Sequence, residues 1–82
     1  MLFTYRTRER RAFWMKGMRF PLDIVWIDCD RVTGVERNAP VPDGGLPLYR
    51  SSGLVDRVLE VRAGWAARNR VGAGDAVVVS AR

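Results

Sequence analysis

The sequence predicts a mainly β domain, a small barrel or sandwich of about six short strands with one short helix near Trp65. Three observations support this fold class. Short apolar and aromatic runs recur along the chain, turn-forming Gly, Pro and Asp residues separate them, and one segment alone has helical character. At 82 residues, 48% of them hydrophobic, the chain suits one folded domain, residues 1–82.

The first strands are predicted to form a hairpin. Residues 1–5 are apolar and aromatic, as in a core strand, and the polar segment 6–10 would connect them to a second strand, Arg11 to Lys16. The hairpin would therefore carry a basic tip.

The centre of the sheet is predicted at Leu22 to Asp28. Pro21 separates this strand from the aromatic-rich segment before it, because proline lacks a backbone donor. Both faces of the strand are largely apolar, which is typical of a central strand. A tight turn at Asp28–Arg31 and a partner strand at Val32–Arg37 would follow.

The second half of the chain begins with a long loop, Asn38 to Gly53, which contains three prolines and the pair Gly44-Gly45. A loop of this length either has a function or is a mobile loop on the protein surface. A strand at Leu54–Arg62, a short helix within Ala63–Val71 and a last strand at Ala76–Ser80 complete the prediction.

Composition excludes several kinds of chemistry. The chain has no His and a single Cys, Cys29, so an intrachain disulfide, a Cys/His zinc site and His-dependent nucleophilic catalysis are excluded. Asp28 and Asp30 have EF-hand spacing, but Val32 stands where a third oxygen ligand is needed. We expect no metal and no cofactor, and the balance favours a non-catalytic protein.

Three charged residues interrupt otherwise apolar strands: Lys16, Asp23 and Glu60. Charges on core strands are costly unless paired, so these form either a structural ion-pair set or the polar contacts of a ligand pocket. We favour a cleft between the Trp14–Lys16 strand and the Tyr49–Ser52 loop, which would bind a small polar molecule or a protein partner. The candidate residues are Trp14, Lys16, Asp23, Tyr49, Ser51 and Glu60.

Two alternatives come from other functional classes. The net charge of +5 is concentrated in residues 1–20, which contain six basic residues and one acid. A nucleic-acid module would use the phosphate affinity of the basic tip and nearby aromatic residues for base stacking. Its residues would be Arg6, Arg8, Arg10 and Arg11. A hydrolase would instead use Asp23 and Glu60 as paired carboxylates.

The order of motifs resembles the domain of unknown function 192 family, from Met1 to about Val79. The most specific matches are Phe13-Trp14-Met15-Lys16, Pro21-Leu22-Asp23-Ile24, Val58-Leu59-Glu60-Val61 and Ala63-Gly64-Trp65-Ala66. The resemblance implies a compact, mostly β, barrel-like domain common in bacteria and archaea, with no established activity.

Two departures from the family pattern affect the expectations. Family members usually have a further N-terminal segment with a strand, and its absence would leave an open sheet edge, so we expect a tendency to form a homodimer through that edge or to aggregate. They also usually have Asn-Thr where this chain has Gly17-Met18, which weakens a site carried over from the family.

The expected location depends on the start of the chain. No apolar run reaches the roughly 20 residues of a membrane span and no signal peptide follows Met1, so the chain as written is expected in the cytoplasm. Family members often carry an export signal, which would place the domain outside the cytoplasm if the true start lies upstream.

Overall fold

Strands make up most of the regular structure. A computed structural model describes residues 1–15, 17–42 and 47–78. Within these ranges the elements are β1 (Leu2–Glu9), β2 (Ala12–Trp14), β3 (Leu22–Asp28), β4 (Arg31–Ala39), β5 (Leu48–Arg50), β6 (Val55–Arg62) and α1 (Trp65–Arg68). The mainly β prediction is confirmed.

The strands form two antiparallel sheets. The larger sheet has the strand order β1-β6-β3-β4, and β2 and β5 form a separate two-stranded ribbon. The described strands do not close into a barrel, so of the two predicted architectures the structure has the sandwich-like one.

The core surrounds β3, which lies between β6 and β4. Its residues from Leu22 to Ile27 are all buried, and its observed bounds match the predicted strand. Because successive side chains of a strand point to opposite faces, Ile24 and Trp26 lie on one face of the sheet and Val25 and Ile27 on the other.

Each face of the large sheet has its own hydrophobic cluster. On the Trp26 face, the ribbon contributes Phe13, whose ring meets Trp26 edge to face at a centroid distance of 5.7 Å. On the Val25 face, Trp65 of α1 and the segment that follows the helix provide the cover. The two faces are therefore closed by different parts of the chain.

The predicted hairpin of residues 1–16 is wrong. β1 extends to Glu9 and pairs with β6, whereas β2 pairs with β5. Arg8, which was expected in the polar connection, lies in β1 and binds Asp28, and the guanidinium of Arg11, which follows the strand, lies 3.5 Å from the centre of the Tyr5 ring. These contacts favour extended backbone where the polar composition predicted a connection.

Three other boundaries differ from the prediction. The long loop contains β5, and the helix is shorter than expected. The predicted last strand is represented by one bridge, Ala76 with Arg31, and its residues Val79 and Ser80 lie outside the described ones. Backbone hydrogen bonds from the 74–77 segment nevertheless cover the edge of β4 near Val32.

Candidate ligand-binding site

The ribbon brings together the two segments expected to flank the cleft. Phe13 pairs with Tyr49 and Trp14 with Leu48. Phe13 and Tyr49 pack on the hydrophobic cluster beneath, while Trp14 is 54% exposed and Leu48 42% exposed on the outer face. Trp14 and Tyr49 thus lie on opposite faces of the ribbon, and only Trp14 is presented to solvent.

A basic cleft of about 170 Å³ adjoins this outer face. Its lining comprises Arg10, Arg11, Ala12, Arg50 and Ser51, and thus includes three arginines and no acidic residue. Ala12 and Arg50 are directly paired across the ribbon, two positions from the Trp14–Leu48 pair. That spacing corresponds to roughly 7 Å along a strand, within the span of one small ligand.

Ser51 forms hydrogen bonds that connect the two sides of the cleft. Its Oγ accepts a hydrogen bond from the Arg11 backbone N–H at 2.9 Å and donates one to the Gly53 carbonyl at 2.7 Å. The Ser51 backbone N–H in turn donates to the Arg11 carbonyl at 2.8 Å. The hydroxyl is thus committed to internal bonds, and Ser51 positions the cleft wall.

Two of the four arginines in the predicted basic tip have internal partners. Arg8 forms two hydrogen bonds of 2.7 Å with the Asp28 carboxylate, and these hold the pKa of Asp28 below its usual range. Arg11 donates to the carbonyls of Thr7 at 2.6 Å and Val55 at 3.3 Å, and its Nη2 atom lies 3.5 Å from the Glu9 carboxylate. Within the described part of the chain, Arg6 and Arg10 form no such ion pair and remain exposed.

Asp23 is a structural anchor. Its side chain is buried, and it accepts backbone hydrogen bonds from Asn38 at 2.9 Å, Gly64 at 3.1 Å and Ala66 at 2.9 Å. Burial raises the pKa of this carboxyl, but the three hydrogen bonds together outweigh it and hold the pKa below its ordinary value. Asp23 therefore links the C-terminal end of β4 and the start of α1 to the central strand.

The structure does not bring Asp23 and Glu60 together. Across the β3–β6 ladder Asp23 opposes Val61, whereas Glu60 opposes Ile24, so the two carboxylates lie on opposite faces of the sheet. Burial raises the pKa of Glu60. The expected ion-pair set with Lys16 involves a residue outside the described ranges, and the two-carboxylate hydrolase has no geometric basis.

A larger hollow, formed by described residues, lies on the Val25 face of the large sheet. Its volume is about 490 Å³, and its lining is mostly apolar, including Val25, Ile27 and Trp65. Its polar side chains form hydrogen bonds with nearby backbone groups: Asp75 accepts one from the Gly72 N–H, and the Asn69 amide donates one to the Trp65 carbonyl. None of the predicted site residues lines it, and we place the candidate site at the basic cleft.

Sequence reasoning missed Arg50 and Leu48 as site residues. Both belong to β5, which was predicted as part of a loop. Alternation along Leu48-Tyr49-Arg50 was the available signal, because a strand there puts the outer two residues on one face and Tyr49 on the other.

The fold and the cleft define a small sandwich-like β domain with a basic surface. The domain of unknown function 192 family (DUF192, "Uncharacterized ACR") has a model that matches residues 1–79. The chain belongs to this family, as its motifs predicted. No curated protein matches the sequence.

Two solved structures share the fold. A protein of unknown function from Novosphingobium aromaticivorans is 32% identical with a TM-score of 0.82, and the match covers 93% of this chain and 54% of that one. A Sinorhizobium meliloti protein described as a "putative transcription regulator" is 31% identical with a TM-score of 0.82, covering 93% of this chain and 58% of that one. This chain thus spans little more than half of either.

No helix in the described ranges is long and apolar enough to cross a membrane. Nor do those ranges contain a group of three or more Cys, Asp or Glu residues arranged to hold a metal ion.

Proposed function

We propose that the domain is a non-catalytic binding module whose ligand is a small polar molecule, or part of a protein partner, that carries an anionic group. One observation carries the proposal: three arginines and no acidic residue line the cleft beside Ser51, and two of them, Arg10 and Arg50, have no ion pair among the described residues. Anions are the natural ligands of such a cleft, because guanidinium groups form strong, directional hydrogen bonds with carboxylates and phosphates.

The exposed Trp14 and Leu48 extend the site beyond the charged cleft. An indole that is more than half exposed offers a flat apolar surface beside the arginines, on which an aromatic or apolar part of the ligand can pack. A ligand with both an anionic and an aromatic group therefore uses the whole outer face of the ribbon.

Thermal melts with a ligand panel test this proposal. The panel contains inorganic phosphate, adenosine monophosphate, citrate and glucose, each at two salt concentrations. A ligand present at 100 times its dissociation constant stabilises the folded state by about 2.7 kcal/mol, which raises the melting temperature by several degrees in a domain of this size. We expect anions to shift the melt, adenosine monophosphate most strongly, and glucose to have no effect.

The same melts on substituted proteins test whether the ligand binds at this cleft. Arg50→Ala is expected to abolish the shift and Trp14→Ala to reduce it for adenosine monophosphate alone. Arg19→Ala, at an exposed position in the segment between β2 and β3, is the control for the loss of one positive charge. Equal effects of Arg19→Ala and Arg50→Ala, or no shift with any anion, would refute the proposal.

Single-stranded nucleic acid is a second candidate ligand. Exposed Arg6, Arg10 and Trp14 support it, as does the description of the Sinorhizobium meliloti protein as a "putative transcription regulator". Binding of a labelled oligothymidine should weaken steeply with salt. Arg10→Ala should weaken it more than Arg8→Ala, because Arg8 already neutralises Asp28. Equal losses in the two variants would argue against this ligand.

A further inference from the structure

We propose that the free edge of β1 binds an extended acidic peptide, which adds to the large sheet as a fifth strand. β1 is the outermost strand in the order β1-β6-β3-β4, and its hydrogen-bonded neighbour among the described strands is β6. The other edge strand, β4, is covered near Val32 by the 74–77 segment. The two edges of this sheet therefore differ in what they offer a partner.

The register shows which backbone groups face outward. Glu60 donates its backbone N–H to the Met1 carbonyl at 2.9 Å, so Met1 and Glu60 form a hydrogen-bonded pair. In an antiparallel ladder such pairs alternate with pairs that exchange no hydrogen bonds. Leu2, opposite Leu59, and Thr4, opposite Arg57, are of the second kind and direct their N–H and C=O groups toward the free edge.

The side chains along this edge favour an acidic partner. Leu2, Thr4 and Arg6 alternate with the half-buried Phe3 and Tyr5, and all three are exposed. Arg6 has no ion pair among the described residues, and Arg10 follows the strand with its charge also exposed. A strand that places a carboxylate beside Arg6 and an apolar side chain beside Phe3 or Tyr5 complements both faces of β1.

The same charges disfavour a second copy of this chain. If two β1 strands paired in antiparallel orientation, the arginines of both copies would lie in the same short ladder. Like charges at neighbouring cross-strand positions would destabilise such a dimer. Charged side chains are a usual protection of sheet edges against self-association. The homodimer expected from the sequence is therefore an alternative that the experiment must distinguish.

A blocked, fluorescein-labelled peptide of the sequence Val-Glu-Val-Glu-Val-Glu is the probe, with binding to the full chain followed by anisotropy. We expect saturable binding that weakens with salt. Arg6→Glu should weaken it by about tenfold or more, because it replaces attraction by repulsion, while the matched charge reversal Arg19→Glu should change it less than about twofold. Thr4→Pro removes an outward-facing donor without removing a β1–β6 hydrogen bond, and should also abolish binding.

Two further peptides make the test independent of how the variants fold. The same sequence N-methylated at every residue keeps its carboxylates but lacks backbone donors, and it should not bind. The peptide Val-Lys-Val-Lys-Val-Lys should not bind either. Equal binding of the N-methylated peptide, or of the lysine peptide, would overturn the proposal. So would light scattering that shows a dimer whose Leu2 and Thr4 amides are protected from exchange without peptide.

Discussion

At the level of single residues, Asp23 and Glu60 are two carboxyl groups of one sheet whose pKa values are shifted in opposite directions. Three backbone N–H groups surround the buried Asp23 carboxylate and favour its charged form. Glu60 is half-buried on the other face, where no described residue donates a hydrogen bond to its carboxylate, and burial raises its pKa. The sequence shows that Asp23 and Glu60 are both charged residues on apolar strands. Their different roles depend on hydrogen-bond partners, which the structure reveals.

Asp23→Asn is predicted to lower the free energy of unfolding by roughly 2–4 kcal/mol at neutral pH, because the amide has one acceptor oxygen and its NH₂ group faces N–H donors. Asp30→Asn makes the same charge change in the exposed turn after β3 and should cost less than about 0.5 kcal/mol. Urea denaturation measures both. Similar losses in the two variants would contradict the anchoring role.

The sign of the pH dependence follows from the lowered pKa of Asp23. Its contribution to stability is complete above the ordinary pKa of 3.8 and is lost as the pH falls through the lower folded-state pKa. The difference in unfolding free energy between the native protein and Asp23→Asn should therefore shrink in acid. A difference that grows below pH 3.8 would be inconsistent with this assignment.

Glu60→Gln is predicted to stabilise the protein slightly at pH 7. The folded-state pKa of Glu60 is raised above its ordinary 4.5, so its stabilising effect is present below pH 4.5 and is lost as the pH rises through the folded-state pKa. Solvent screening limits the gain to about 0.5 kcal/mol. Thermal melts should show the gain at pH 7 and none at pH 3, and a loss at pH 7 would mean that Glu60 has an attractive partner.

At the level of elements, a strand could be predicted from the sequence when its own residues specify it, and not when it depends on pairing with a distant strand. β3 was predicted with its observed bounds because apolar side chains occupy both of its faces and Asp23 is the one charge between Leu22 and Ile27. β5 was not predicted, because its three residues follow a Pro/Gly-rich stretch and depend on pairing with β2. The same dependence hid Arg50, so the sequence indicated Ser51 of the cleft, and Arg10 and Arg11 for a different ligand, but not the strand that completes the cleft.

Gly34 is predicted to be required for the packing of the β5–β6 connection against β4. A Cβ at this position would collide with Ser52 Oγ and approach Ser52 Cβ to 3.2 Å. Gly34→Ala should therefore cost about 1 kcal/mol, since the serine hydroxyl can rotate but its Cβ cannot. The double variant Gly34→Ala/Ser52→Gly should recover most of this loss in urea denaturation, and strictly additive losses would exclude the contact.

At the level of the whole molecule, the two faces of the large sheet are unequally covered. The ribbon closes the Trp26 face, whereas one helical turn and an extended segment cover the Val25 face and leave a hollow of about 490 Å³. Val58 and Val25 are both buried, at 0% and 2% exposure, and belong to different faces. They provide a matched comparison of the two cores.

Val58→Ala is predicted to cost about 2 kcal/mol and Val25→Ala about 1 kcal/mol of unfolding free energy. A cavity left among fully packed neighbours loses more contacts than one that adjoins an existing hollow. Urea titrations of the two variants measure the difference. Equal costs would indicate that the helix face is as densely packed as the ribbon face.

The position of β1 also affects when the protein can fold during synthesis. Of the described strands, β1 leaves the ribosome before the others, but Leu2 pairs with Leu59 and the edge of β4 is completed only by residues 74–77. Until those later residues emerge, the aromatic side chains of β1 and β2 have no sheet to pack against, and loop-closure entropy must be overcome before the distant strands pair. A nascent chain of this domain therefore exposes its most aromatic segment for most of its translation, which makes that segment a natural contact for chaperones at the ribosome exit.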